Sequence, residues 1–405
     1  MSFLRHTSTR RLLAVLASCV LVAGGGAVAI AMAAGGAGPT PAPKPLAEAV
    51  HAALAAPAVD GVTARIEFTN HLIDSASLQG ADPILTGAGG RLWASGDRLR
   101  LELQASGAAG GAGDVQVLLN GDRLTVIDTG SNTIYRATLP ARDKPKGNAP
   151  EPVPSLARVQ DALTKLAERT TLSDAQPSNV AGRPAYTVRI SPRHDGGLLG
   201  AVEAAWDAAN GVPLRAAVYA NGNPSPVLEL KATDISFGKV ADSDMTVPEP
   251  SGAKVVDLSP SASSGTPDPK DPGSAHKDQK PVTGLSAVQA KVPFHIVAPD
   301  ELVGLKRQDV KLVDMDGSAG ALVSYGQGLG GIVVLQTAAK PASDKGTGGA
   351  DRPGLSLPKI SINGVSGEEL DTALGTLLRF ERDGVAYTIA GSVPPAAAEA
   401  AARGL

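Results

Sequence analysis

The chain has one cysteine, Cys19, close to its N-terminus. Everything beyond it therefore lacks intramolecular disulfides, a CxxC redox pair and cysteine-ligated zinc, and must be held together by core burial. Histidine is also scarce. His6, His51, His71, His194, His276 and His295 are the six, and no two stand at metal-ligand spacing, so a catalytic metal has no ligand set. No G-x-S-x-G nucleophile elbow occurs. The chain reads as a binding protein that uses no cofactor, not as an enzyme. Aromatics make up only 3% of residues, so cores must rest on Leu, Val, Ile and Ala. Net charge is −3 and no large basic block follows the N-terminal segment, so nucleic-acid binding has no electrostatic footprint.

What is present begins with Arg5, His6, Arg10 and Arg11, followed by the 23-residue uncharged run Leu12 to Ala34. At a helical rise this spans about 34 Å, enough for a bilayer core of roughly 30 Å. Preceding basic residues place the N-terminus in the cytoplasm and the bulk outside. Length favours an uncleaved single-pass anchor over residues 1–34. Two other fates stay open. Ala31-Met32-Ala33 forms an A-x-A cleavage signature, which would make the protein secreted. Leu16-Ala17-Ser18-Cys19 resembles a bacterial lipobox, which would lipidate Cys19, although the apolar run continues for 15 residues past that cysteine. Thr9 to Leu13 loosely resembles a twin-arginine signal.

Residues 35–45 are a Pro-rich spacer. Leu46, Val50 and Leu54 then recur every four residues as a short helix, stopped by Pro57. Alternating runs follow: Val62 to Thr69, Arg98 to Gln104, Val115 to Leu119, then Leu124 to Tyr135 around a Thr129–Asn132 turn. Ser155 caps a second helix carrying Leu156, Val159, Leu163 and Leu166. Tyr186, Val188 and Ile190 resume the sheet. From Ala201 to Phe237, three more runs alternate apolar and wetter positions, two of them joined by Asn210-Gly211, a strong hairpin signal. The result is an antiparallel sheet with one apolar face, and what covers that face is the functional question.

Residues 258–283, rich in Ser, Pro, Asp, Lys and Gly, read as a disordered linker between a 46–257 domain and a smaller 284–405 domain. In the second, Val310 and Leu312 begin a strand. Ala321 to Tyr325 and Ile332 to Leu335 flank a Gly-rich turn, a hairpin closes on Arg382-Asp383-Gly384, and Pro394 opens an Ala-rich helix. Gly326, Gly328 and Gly331 match G-x-G-x-x-G, but the apolar run after them is a strand, not the helix a dinucleotide site needs, so the glycines serve a turn. Ser366, Glu368 and Glu369 are spaced like a helix capping box. His71 and Asp74 read as a solvated loop pair.

Trp206-Asp207 with Asn210 to Arg215, then Leu228 to Phe237, then Val247-Pro248-Glu249-Pro250-Ser251-Gly252-Ala253-Lys254-Val255, resemble the recurring end of the LolA-like family and its RseB (MucB)-like branch. The resemblance covers roughly Pro45 to Val256 and its motifs are structural. It implies an α+β fold, a half-open antiparallel β-barrel with covering helices and an apolar cavity, plus a smaller α+β second domain. The tail from Pro293 also resembles a small domain of anti-sigma and sporulation-linked envelope proteins of Gram-positive bacteria. The anchor and the Ala/Gly-rich composition suggest a tethered Gram-positive type, for which an outer-membrane lipoprotein shuttle has no destination. The resemblance implies an extracytoplasmic protein that binds the acyl chain of a lipid or lipoprotein, with a possible part in sigma-factor signalling. The alternative is a protein-interaction module that docks on an anti-sigma factor or another envelope partner. Candidate cavity positions are Ile66, Phe68, Leu101, Leu103, Trp206, Val218, Leu228 and Leu230.

Overall fold

The computed structural model describes residues 38–73, 87–105, 114–139, 153–193, 197–257, 282–315, 318–339 and 357–405. Cys19, the N-terminal apolar run, nearly all of the linker, His6, Asp74, His194 and His276 lie outside the described residues. Among those described, no helix is long and apolar enough to cross a membrane. The chain forms two compact units, divided between Ser259 and Pro260.

The first unit opens with helix α1 (Leu46–Ala55) and strands β1 (Val62–Asn70), β2 (Ala88–Ser95), β3 (Arg98–Ala105), β4 (Val115–Asn120), β5 (Arg123–Asp128) and β6 (Thr133–Thr138). Helix α2 (Leu156–Ala167) leads into β7 (Thr170–Leu172), β8 (Gln176–Val180), β9 (Arg183–Pro192), β10 (Leu199–Asp207), β11 (Pro213–Ala220), β12 (Pro226–Phe237) and β13 (Lys254–Asp257). All thirteen strands join one sheet, ordered β13-β6-β5-β4-β3-β2-β1-β12-β11-β10-β9-β7, with β8 also on β9. Open sheets beyond about ten strands curl, and the apolar positions of β1, β2, β3 and β4 gather into one buried cluster. The sheet is mixed where an antiparallel one was expected, because β13 runs parallel to β6. Ser155 caps α2 by accepting from the Arg158 N–H. The Leu46/Val50/Leu54 stripe is not the buried side of α1. Ala49 is buried and Leu54 exposed. Only small residues allow the close approach seen here, where a Cβ on Gly211 would meet the Ala53 carbonyl oxygen at 2.4 Å.

The Asn210-Gly211 signal marks a real β10–β11 hairpin, but the connection is longer than a two-residue turn. Asp207, 1% exposed, organises it. Its Oδ1 accepts the Ala209 and Asn210 N–H groups at 2.9 and 3.1 Å. Its Oδ2 accepts Arg183 Nε at 2.7 Å, and Asn210 Oδ1 accepts the Val212 N–H. Gly211 takes φ +70°, where a side chain is strained. Asp207→Ala leaves two backbone donors and a guanidinium unpaired. It is expected to cost about 2–4 kcal/mol, measured as a lowered urea midpoint at unchanged m-value.

The second unit contains α3 (Leu285–Gln289), β14 (Glu301–Leu302), β15 (Leu305–Met315), β16 (Ser318–Tyr325), β17 (Ile332–Ala338), β18 (Lys359–Ile362), β19 (Val365–Thr372), β20 (Gly375–Arg382), β21 (Val385–Gly391) and α4 (Pro395–Arg403). Eight strands form an antiparallel half-barrel ordered β14-β15-β16-β17-β21-β20-β19-β18. The glycines Gly326 to Gly331 do join two strands, β16 and β17. Ser366, Glu368 and Glu369 lie inside β19 and cap no helix. Alternation puts Val365, Gly367 and Glu369 inward, and the carboxylates hide the strand from composition. Gln336 is fully buried, and its amide bonds both the N–H and the carbonyl of Val297, anchoring the loop before β14. Helices are few and short in both units, so the molecule is mostly β and not the α+β fold expected.

Candidate apolar ligand cavity

Strands β1, β12 and β11 are neighbours, and their register aligns the apolar positions. Phe68 faces Leu230, Ile66 faces Ala232 and Ala64 faces Ile235. Across the next ladder Leu230 faces Ala216 and Leu228 faces Val218. On the other flank Ala64 meets Leu92. Period two therefore assembles one continuous apolar floor. A cavity of about 180 Å³ sits on it, lined by Val62, Ala64, Ile66, Phe68 and Leu92 from β1 and β2 and by Pro213, Leu214, Ala216, Val218, Leu228, Leu230, Ala232 and Ile235 from β11 and β12. One water needs only about 10–15 Å³, so the space is an order of magnitude larger. Phe68, Ala216, Leu228 and Leu230 remain partly exposed within it, and no charged side chain is needed to explain its shape.

Arg215, Glu229 and Lys231 border the cavity, but alternation sends their side chains to the opposite face. There a ladder crosses five strands. Lys231 Nζ lies 3.1 Å from Glu67 and 3.4 Å from Glu229. Arg215 reaches Glu229 at 2.6 Å and Glu203 at 2.7 Å, and Arg189 reaches Glu203 at 2.7 Å. Tyr219 accepts from Arg215 and donates to Glu203, each at 2.8 Å, under the Arg189 guanidinium at 4.5 Å. Burial by itself would raise the Glu203 pKa, but hydrogen bonds from Arg215, Arg189 and Tyr219 outweigh it and hold the carboxyl below its ordinary value. Desolvation raises the Tyr219 phenol. Arg215 is buried, which alone would lower its pKa, yet its bonds to Glu203 and Tyr219 raise it above the usual value. Charges of both signs are matched, so the ladder is a structural backing for the cavity floor.

Of the eight positions taken from sequence, the structure gathers Ile66, Phe68, Val218, Leu228 and Leu230 on the cavity. Leu101 and Leu103 lie on the same sheet face but farther along it. Leu92 stands between Leu101 and the floor, and Leu103 pairs with Gly90. Both are buried in the surrounding apolar cluster. Trp206 packs instead with Ala49, Ala175 and Tyr186 under α1, its ring 6.2 Å from that of Tyr186. Sequence reasoning did not single out Val62, Ala64, Leu92, Leu214, Ala216, Ala232 or Ile235. Alternation marked the face, and the same signal two residues either side finds Ala64, Ala216 and Ala232. Among the described residues, no group of three His, Cys, Asp or Glu could hold a metal.

No protein-family model and no curated protein matches the chain. Solved structures do. A crystal structure of MucB in complex with the periplasmic part of MucA is similar over 88% of this chain and 94% of its own, at 15% identity and a TM-score of 0.39. The Pseudomonas aeruginosa MucA/MucB complex has the same coverage and identity, with a TM-score of 0.41. A LolA superfamily protein from Nitrosomonas europaea aligns with 50% of this chain and 98% of its own, at 10% identity and a TM-score of 0.20. These are likenesses of chain course at low identity.

Proposed function

We propose that the first unit binds one acyl chain, the apolar part of a lipid or lipoprotein, on the floor formed by β1, β12 and β11. The observation that carries this reading is the open cavity lined by Ile66, Phe68, Val218, Leu228 and Leu230, whose side chains fill it only in part. Each methylene placed there gains about 0.8 kcal/mol, and the apolar floor sets no preference for a headgroup. The N-terminal run of 23 uncharged residues supports a protein tethered to the membrane with its bulk outside the cytoplasm. Held there, a lipid-responsive unit joined to a second domain suits a regulator of envelope signalling better than a shuttle.

Native mass spectrometry of the full chain, purified without detergent, tests the reading. A co-purifying adduct with a lipid's mass, lost on organic extraction and regained on adding phospholipid vesicles, is the expected result. A clean apo mass that stays apo with vesicles would favour the protein-interaction module.

A further inference from the structure

We propose that Glu369 is a proton-controlled latch for the C-terminal helix of the second unit: α4 docks over the neutral carboxyl and loosens when that carboxyl ionises. Glu369 lies on β19 opposite Leu378, which is fully buried. Its inward direction follows from its neighbours Val365 and Gly367, which alternate toward the same core. The residue is only 9% exposed, and its Oε2 is buried with no hydrogen-bond partner. Helix α4 packs on β18, β20 and β21, and β18 and β20 are the two strands that flank β19. The helix buries Ala398, Ala401 and Ala402 against the half-barrel, and Asn363 ties its end by donating to the Arg403 carbonyl at 3.0 Å.

The charges around Glu369 do not neutralise it. On its own strand stands Asp371, and from α4 comes Glu399, whose carboxylate is already engaged by Arg403. On β18 and β20 the cations are Lys359, Arg379 and Arg382; the first two stand in register with Glu368, on the other face of β19, and the Arg382 guanidinium lies against the Phe380 and Tyr387 rings. Among the described residues no cation pairs with Glu369. Burial first, then Glu399 and Asp371, push its carboxyl above the ordinary glutamate value. A protonated carboxyl removes both the desolvation cost and the repulsion.

The sign follows from linkage. A raised pKa in the docked state makes docking strongest below the free-glutamate value of 4.5, and docking weakens as pH rises through the docked value. The loss is about tenfold in the docking equilibrium for each unit of difference between the two. Undocking would bare the small apolar face of α4 and the sheet beneath it, including Leu378 and Ile362.

Hydrogen exchange on the full chain, corrected for intrinsic rate, tests this at about pH 4.5 and about pH 7.5. Amides of residues 397–404 should lose protection at the higher pH while the β16–β17 hairpin does not. Glu369→Gln keeps the shape without the charge, so α4 should stay protected at both values. Asp371→Asn, at an exposed strand end, should move the loss to lower protection difference and lower pH. Equal protection of α4 at both pH values in the native chain overturns the proposal. So does a dependence that survives Glu369→Gln. Should the Gln variant fail to fold, an Asp371→Asn profile superimposable on the native one overturns it as well.

Discussion

Arg215→Ala is expected to destabilise the first unit by about 3–5 kcal/mol. The guanidinium is 17% exposed and its carboxylate partners Glu203 and Glu229 are 16% and 10% exposed. Removing it takes the shared cation from two mostly buried acids, leaving Glu203 with Arg189 at 2.7 Å and Glu229 with Lys231 at 3.4 Å, and takes from Tyr219 the guanidinium donor it accepts. The cost comes from uncompensated charge and not from the net worth of the ladder. Replacing Arg215, Glu203 and Glu229 at once by apolar residues of similar volume should therefore recover most of the loss. Chemical denaturation of the single and triple variants checks both statements, and a triple variant no more stable than the single one would contradict the account. The same ladder sets an acid limit. The Glu203 carboxyl is held below its ordinary value, so its contribution is complete above the unfolded carboxylate range. It fades as pH falls through the lowered value. Arg215→Ala should flatten that acid-side slope.

Ala216→Trp is expected to abolish lipid retention while leaving the sheet intact. Ala216 stands in the middle of the floor, opposite Leu230, and is partly exposed to the cavity. An indole there occupies space that the native chain leaves open, so the usual overpacking penalty is relieved. Excluding even four methylenes forfeits about 3 kcal/mol, more than about a hundredfold in Kd. Leu230→Asp should act in the same direction by placing a charge on the floor. Leu101→Ala and Leu103→Ala, by contrast, should lower stability by about 2–5 kcal/mol with little effect on retention in the folded fraction. The measurements are lipid adduct by native mass spectrometry and unfolding midpoint. Full retention in a folded Ala216→Trp variant would remove this cavity as the binding site.

Much of this architecture is legible in the residues themselves. Val62 to Thr69, Arg98 to Gln104 and the three runs between Ala201 and Phe237 alternate so strictly that strand, face and hairpin partner follow. Ser155 announces α2. Other elements were hidden for local reasons. Strand β2 carries Gly89 and Gly90, which interrupt its alternation. Strands β7 and β8 are short and polar. Strand β19 reads VSGEEL, where carboxylates mimic a helix start. The parallel edge pairing of β13 with β6 joins residues more than a hundred positions apart, and nothing local encodes it.

The cavity divides along the same line. Sequence alone determined a body without disulfides and sheet strands with one apolar face, because each depends on composition or on a period of two within a few residues. Only the tertiary structure decided which part of that face stays uncovered. Helix α1 came to rest over Tyr186 and Trp206, Leu101 and Leu103 were sealed among their neighbours, and the stretch from Phe68 to Val218 was left open. Coverage depends on where distant elements pack in a curled sheet, and that choice is made by contacts far apart in the chain, which no local periodicity contains.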